Sequence, residues 1–316
     1  MTPTEPQPAV LLVGASGFVG RHILQSMVDS SRTTVRATAR KTALPPAPGT
    51  EPVRLELADL PSIARALRGV RAVINAATYV GPDPQQAAAT NLDGTANLLQ
   101  ICHEEGITQF VQLSSMAVYG SGPHADTDPA QLHPRPESNA SRTRAAADEL
   151  VLAAGGAVLR AALTYGAGDH WFLPALARME RILGGTPPTG KSQLSVIDVR
   201  DLAAMAGTLA CMEVPATGIF HAANPTPERI EKLLRCLNAA LGKPDRKSPA
   251  PPGQADALLR AAGFTAHQTL LLTADHWYQP DPAWHRTGLL PRPFSLDGEA
   301  AGWYRQLLSA TPRNHS

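Results

Sequence analysis

Cysteine is scarce in this chain: Cys102, Cys211 and Cys236 are its only three, spread widely through 316 residues. An odd number at such distances gives neither a disulfide framework nor a CxxC metal or redox motif, and the three read as buried thiols. Charge imbalance is absent too. Lys and Arg number 28 against 27 Asp and Glu, a formal charge of +1, which argues against a nucleic-acid partner. No uninterrupted apolar run approaches the roughly 20 residues that cross a bilayer. The opening MTPTEPQP lacks the basic and apolar regions of a secretory signal, so a cytoplasmic location with no membrane partner is expected. The ten histidines show no HExxH or paired spacing, and no metal is expected. Internal repeats are missing as well.

What the chain does have is alternation. Strand candidates AVLLVG (9–14), TTVRATA, PVRLEL, AVINAA, QFVQLSS and AVLRAAL are mostly separated by helical patterns such as PSIARALRG, GTANLLQICHEEG and TRAAADELVLAAG. In the first helix, Ile23, Leu24, Met27 and Val28 form one apolar stripe. Strands joined by helical crossovers pair in parallel, so the expected class is α/β: a Rossmann-like, doubly wound parallel sheet. After Tyr165 the rhythm changes. The expected division is a dinucleotide-binding domain over 8–165, its sheet completed by about 194–223, and a smaller, mostly helical C-terminal substrate lobe from 166–193 and 224–316.

The strongest motif is GASGFVG, with Gly14, Gly17 and Gly20 between a strand and a helix. Glycines let the backbone approach a pyrophosphate, which rests against the unpaired NH groups of the helix start. Ser16, Phe18 and Val19 belong to the same cofactor loop. It is not a nucleophile elbow, which counts against a hydrolase. At the end of the second strand candidate stand Arg40 and Lys41, with no Asp or Glu. An acid there would favour NAD through the ribose hydroxyls, whereas a guanidinium forks onto a 2′-phosphate, so NADP(H) is the expected cofactor.

At this point the chain resembles the extended short-chain dehydrogenases/reductases, the NAD-dependent epimerase/dehydratase-like group, over most of its length. LELADL implies adenine contacts at Asp59 and Leu60; NAAT, with Pro82 beyond it, implies ribose-side contacts at Ala76, Ala77 and Thr78; TNLDGTANLL supplies Asn91. VQLSSMAVYG matches the strand that ends in the family's catalytic serine, here Ser115, after Leu113 and Ser114. Ala161 and Leu163 precede TYGAGD, which resembles the segment against the nicotinamide. VIDVRDLA, with Asp201, and GLLPRPFSLDGEAAGWY match the family's later segments.

One departure stands out in NASRTRAAADEL (139–150). The family carries Tyr, three residues and Lys here; this chain has Ala140 and Arg144. In the family the tyrosine protonates the carbonyl oxygen and the lysine binds ribose and lowers the tyrosine's pKa. The cation is kept and the acid is lost. Ser115 and Arg144 are therefore the expected catalytic pair, Arg144 also holding the cofactor. The expected substrate face is Tyr79, Met116, His124, Ala140, Tyr165, His170 and Trp171. Among these His124, Tyr165 and His170, with His133, are candidate substitute proton donors. The resemblance, which extends to tyrosine-less polyketide ketoreductases, implies an NADPH-dependent ketoreductase of a secondary-metabolite pathway. Its substrate would be a small molecule, a polycyclic aromatic ketone whose neighbouring phenol supplies the proton. A nucleotide-sugar epimerase or dehydratase and a catalytically silent NADP-binding regulator are the alternatives. A homodimer is an expectation carried by the resemblance alone.

Overall fold

A computed structural model describes residues 9–30, 33–38, 48–128, 131–245, 251–279 and 283–309. The first half runs β1 (Ala9–Val13), α1 (Phe18–Asp29), β2 (Val35–Thr38), β3 (Thr50–Val53), α2 (Leu60–Leu67), β4 (Val70–Asn75) and α3 (Pro84–Ala87). A π-helical run over Ala88–Asp93 leads into α4 (Gly94–Glu104), then β5 (Gln109–Ser115), a 3-10 turn over Met116–Tyr119, β6 (His124–Thr127), α5 (Asn139–Ala153) and β7 (Ala157–Ala161). There follow β8 (Leu163–Tyr165), α6 (Phe172–Leu183), β9 (Gln193–Leu194), β10 (Val196–Asp198), α7 (Val199–Ala210) and β11 (Gly218–Ala222). The last part holds β12 (Glu228–Arg229), α8 (Ile230–Ala240), α9 (Pro252–Ala261), α10 (Ala266–Thr273), β13 (His276–Tyr278), α11 (Ala283–Thr287) and α12 (Gly298–Ser309).

Seven strands form one sheet in the order β11-β7-β5-β4-β1-β2-β3, and every pairing in it is parallel. This is the expected doubly wound arrangement. Side chains alternate across a strand, so the all-apolar β1 feeds two cores. Val10 and Leu12 pack with Ile23, Met27 and Met205 on one face. Leu11 and Val13 pack with Ile63 and Leu98 on the other. A third core, of Tyr165, Phe172, Leu176, Ile230, Leu233 and Leu259, lies in the second lobe.

Of the stretch expected to complete the sheet, only Gly218–Ala222 joins it. The chain of β7 leaves the sheet after Ala161. Ala162 still donates to the Ala222 carbonyl, but the next residue, Leu163, donates to Ser195, and β8 takes β10 as its parallel partner. Gln193–Leu194 goes to a separate four-stranded sheet, β12-β9-β13-β6. That sheet adds a short strand, His276–Tyr278, to a tail that is otherwise mostly helical, as expected. The thiols differ from expectation too: Cys102 is buried, its pKa pushed up to about 12 by burial, but Cys211 and Cys236 are partly exposed. Among the described residues no helix is long and apolar enough to cross a membrane, and no group of His, Cys, Asp and Glu could hold a metal ion.

Candidate active site

The cofactor loop owes its shape to two glycines. Gly14 has φ +80°, and a Cβ there would lie 2.7 Å from the Ala77 nitrogen; a Cβ at Gly20 would lie 2.1 Å from the Gly14 carbonyl oxygen. Both close approaches require glycine. At Gly17 a Cβ would meet only the Gly14 oxygen, at 3.3 Å, so its outer side is free for a ligand. No side chain caps α1, which leaves amide donors at the helix start for an anion. Ser16 and Gly17 are exposed. These residues fit a dinucleotide pyrophosphate. Asp59 is exposed at the start of α2, next to half-buried Leu60. Arg40 and Lys41 lie outside the described residues.

Ser115 ends β5, and its Oγ accepts from the Ala117 amide at 3.2 Å. An accepting hydroxyl keeps its own proton for another partner. Ser114, on the opposite side of the strand, donates to Asp148 Oδ2 at 3.0 Å. Asp148 in turn pairs with Arg160 Nε at 2.9 Å, the two side chains 1% and 3% exposed. Arg160 donates to the Tyr119 hydroxyl at 2.8 Å, and Tyr119 meets His221 Nε2 at 2.5 Å. Burial pushes the Asp148 carboxyl up from the usual carboxylate range, opposed by the Arg160 guanidinium. This buried chain ties β5, β7 and β11 to α5, starting from Ser114, the residue before Ser115.

The start of α5 is fixed by a capping box: Ser138 Oγ accepts from the Ser141 amide at 3.1 Å, and the Ser138 amide donates to Ser141 Oγ at 3.0 Å. Ala140 therefore sits in the first turn, with Arg144 one turn on and sharing its face. Arg144 donates to Thr78 Oγ1 from Nε and Nη2, at 3.2 and 3.0 Å. Burial lowers its pKa, opposed by the Asp148 carboxylate. Asn91, delivered by the π-helical run, clamps this corner. It accepts from the Tyr79 amide at 2.7 Å and donates to the Tyr79 carbonyl at 3.0 Å and to Thr143 Oγ1 at 2.9 Å.

These groups open onto one cavity of about 570 Å³, within the ~300–1,000 Å³ usual for small-molecule sites. Phe18, Val19, Ala76 and Thr78 line its cofactor side, with Leu113, Ser114, Ala161 and Leu163; Ser115, Met116, Ala140 and Arg144 stand at its centre; His170 and Trp171 form a rim. Both rim residues are exposed, and His170 packs edge-on against Trp303 at 4.9 Å. Asp169 fixes that rim by accepting from the amides of Trp171, Phe172 and Leu173.

Three expected substrate residues are not on the cavity wall. Tyr165 is fully buried against Phe294 at 4.8 Å. His124 packs behind the wall, 5.3 Å from His276 and 5.6 Å from Tyr278, and Tyr79 is turned into the Asn91 clamp by its backbone. His133 is exposed in the loop before α5 and also stands off the wall. In their place the wall includes Ser195, Gln268, Leu271, His276 and Tyr278, all from the second half. The sequence signal for the last two was the aromatic run HWY, rich in strand-forming residues but only three long.

A sequence profile of the NAD dependent epimerase/dehydratase family matches residues 10–218. The chain belongs to this family. Its members share the nicotinamide dinucleotide dependence that the glycine loop and the α1 start fit. The 2-alkyl-3-oxoalkanoate reductase of Stenotrophomonas maltophilia is 26% identical, over 90% of this chain and 94% of its own length. A Thermus thermophilus UDP-glucose 4-epimerase solved with NAD superposes with TM-score 0.71 at 21% identity, covering 94% of this chain and 99% of that one. A dTDP-glucose 4,6-dehydratase of Bacillus anthracis, also with NAD, gives 0.72 at 16%, covering 94% and 96%. These two structures share the fold.

Proposed function

We propose that this enzyme is an NADPH-dependent ketoreductase acting on an uncharged, polycyclic aromatic ketone of a polyketide pathway. The composition of the cavity wall carries this reading. Among the described residues lining it, Arg144 is the one Arg or Lys, and it is engaged by Thr78 on the cofactor side. No second cation stands there to grip a sugar diphosphate. The one carboxylate of the wall, Asp169, is spent on the α6 amides and on Tyr304. The remaining surface is largely apolar, from Met116, Leu163, Trp171, Phe172 and Leu271. Ketone reduction is also what the name of the Stenotrophomonas relative implies for that protein.

The bound cofactor supplies hydride. Ser115 donates a hydrogen bond to the oxygen on which charge develops, and Arg144 holds ribose and adds positive potential. Alanine at position 140 leaves the space of a phenol ring to a rigid substrate. The proton comes from a phenol ortho or peri to the ketone through an internal hydrogen bond, and water then restores the phenol. The test is NADPH oxidation with 8-hydroxy-1-tetralone against 8-methoxy-1-tetralone. Methylation should slow turnover by about 10²- to 10⁴-fold, the worth of a positioned acid. Equal rates would end the substrate-assisted mechanism.

A further inference from the structure

Several polar groups of the cavity wall are left unused by the mechanism above, Tyr278 among them. Tyr278 lies on β13, two residues after His276, and alternate residues of a strand face the same side. Both line the cavity. Tyr278 is only 4% exposed, and its ring is held from behind by Tyr119 at 6.1 Å and His124 at 5.6 Å. Its amide is fixed to Ser195 Oγ at 3.2 Å. It packs in one apolar cluster with Met116, the neighbour of Ser115, and Ala145, the neighbour of Arg144. Among the described residues its hydroxyl takes no protein partner, and Tyr278 belongs to the cavity lining, where the hydroxyl can be reached by a ligand. Such a group is expected to meet a ligand.

We propose that Tyr278 is a specificity-determining residue that donates a hydrogen bond to a second substrate oxygen, the one beside the ketone, while Ser115 serves the ketone oxygen itself. This deepens, and rests on, the ketoreductase reading. In a substrate with oxygens in a 1,3 relation, as in a peri-hydroxy ketone, one oxygen meets Ser115 at the β5 end and the other Tyr278 on β13, both on the wall of the same cavity. Burial, and then the Tyr119 hydroxyl, push the Tyr278 pKa up, so the phenol stays protonated and acts as a donor. His276 beside it adds no competing cation. Its Nε2 bonds the Ser121 carbonyl, which can only accept, so Nε2 carries the proton; burial holds the ring's pKa at about 4.

Calorimetric titration of the NADP⁺-loaded enzyme tests this independently of turnover. Wild type should bind 8-hydroxy-1-tetralone more tightly than 1-tetralone. Tyr278→Phe should raise the Kd of the hydroxy ketone roughly 3- to 10-fold, the net worth of a hydrogen bond, and leave the Kd of 1-tetralone within about twofold. A melting temperature unchanged in Tyr278→Phe shows that its fold is intact; if it falls, Tyr278→Trp, which keeps a ring and a donor, should bind the hydroxy ketone better than Tyr278→Phe. Equal losses for both ketones, no loss for either, or no wild-type preference for the hydroxy ketone would overturn the proposal. Absence of NADPH oxidation with both ketones would sink the ketoreductase reading instead, while the Kd comparison would still judge Tyr278.

Discussion

Replacing Asp148 with Asn should destabilise the protein severely while leaving its shape nearly intact. The carboxylate is 1% exposed and sits 2.9 Å from Arg160 Nε, itself 3% exposed. Removing one member of such a pair costs about 3–5 kcal/mol, because the other charge is left in a low-dielectric interior. Arg160 retains the Tyr119 hydroxyl at 2.8 Å and the Tyr119 ring face at 5.0 Å, which places the loss near the lower end, about 3 kcal/mol. Unfolding entropy near 2.1 cal/mol/K per residue gives about 0.7 kcal/mol/K for a chain of this length, so the melting temperature should fall by about 4–5 °C. Melting followed by far-ultraviolet circular dichroism measures it. The double change Asp148→Leu, Arg160→Met should recover most of the loss, since neither charge then remains buried. A single variant that melts within about 1 °C of wild type, or a double variant worse than the single, would refute the account of this pair.

Four further variants have expected outcomes. Arg40→Asp should weaken NADPH binding far more than NADH binding in fluorescence titrations, and equal loss for both would remove the 2′-phosphate assignment. Ser115→Ala should lower kcat by about 10²- to 10³-fold, as loss of an oxyanion donor does, whereas Ala140→Tyr should obstruct binding of the polycycle and not raise kcat; a large gain from Ala140→Tyr would mean that the site merely lost its acid. Burial holds His276 neutral with a pKa of about 4 against an ordinary 6.5, so its contribution is fully present above pH 6.5 and is lost as pH falls toward 4. That loss amounts to about 3 kcal/mol, and melting curves from pH 7 to 4 should be flatter for His276→Gln than for wild type.

Much of the sheet was legible in the sequence because its central strands are buried on both faces and are rich in apolar residues between helices. β1, AVLLV, is such a run, and the glycine loop after it is a local device whose form is set by its own residues. The register that puts Ala140 and Arg144 on one helix face was likewise visible, since a capped helix repeats regularly. The far wall of the cavity was not. β13 and β9 are three and two residues long, too short for any periodicity, and they become strands by pairing with each other and with β6 and β12 on their outer sides. Tyr165 misled for a related reason. A tyrosine near a motif says nothing of which way it turns, and tertiary packing drew this one into the core of the second lobe. Arg160, in the middle of the strand candidate AVLRAAL, was a usable signal: a charge in an otherwise apolar strand implies a buried partner.

The pairing of β6 with β13 has a consequence for how the protein comes into being. His124 and His276 are aligned neighbours in that small sheet, although some 150 residues separate them along the chain. Contacts between such distant segments form late, after much loop-closure entropy has been spent. During synthesis the nucleotide half can collapse as soon as its strands have emerged, but the wall that carries His276 and Tyr278 arrives only about 50 residues after the last of them. A nascent chain can therefore hold its cofactor loop ready well before it has anywhere to put a ketone.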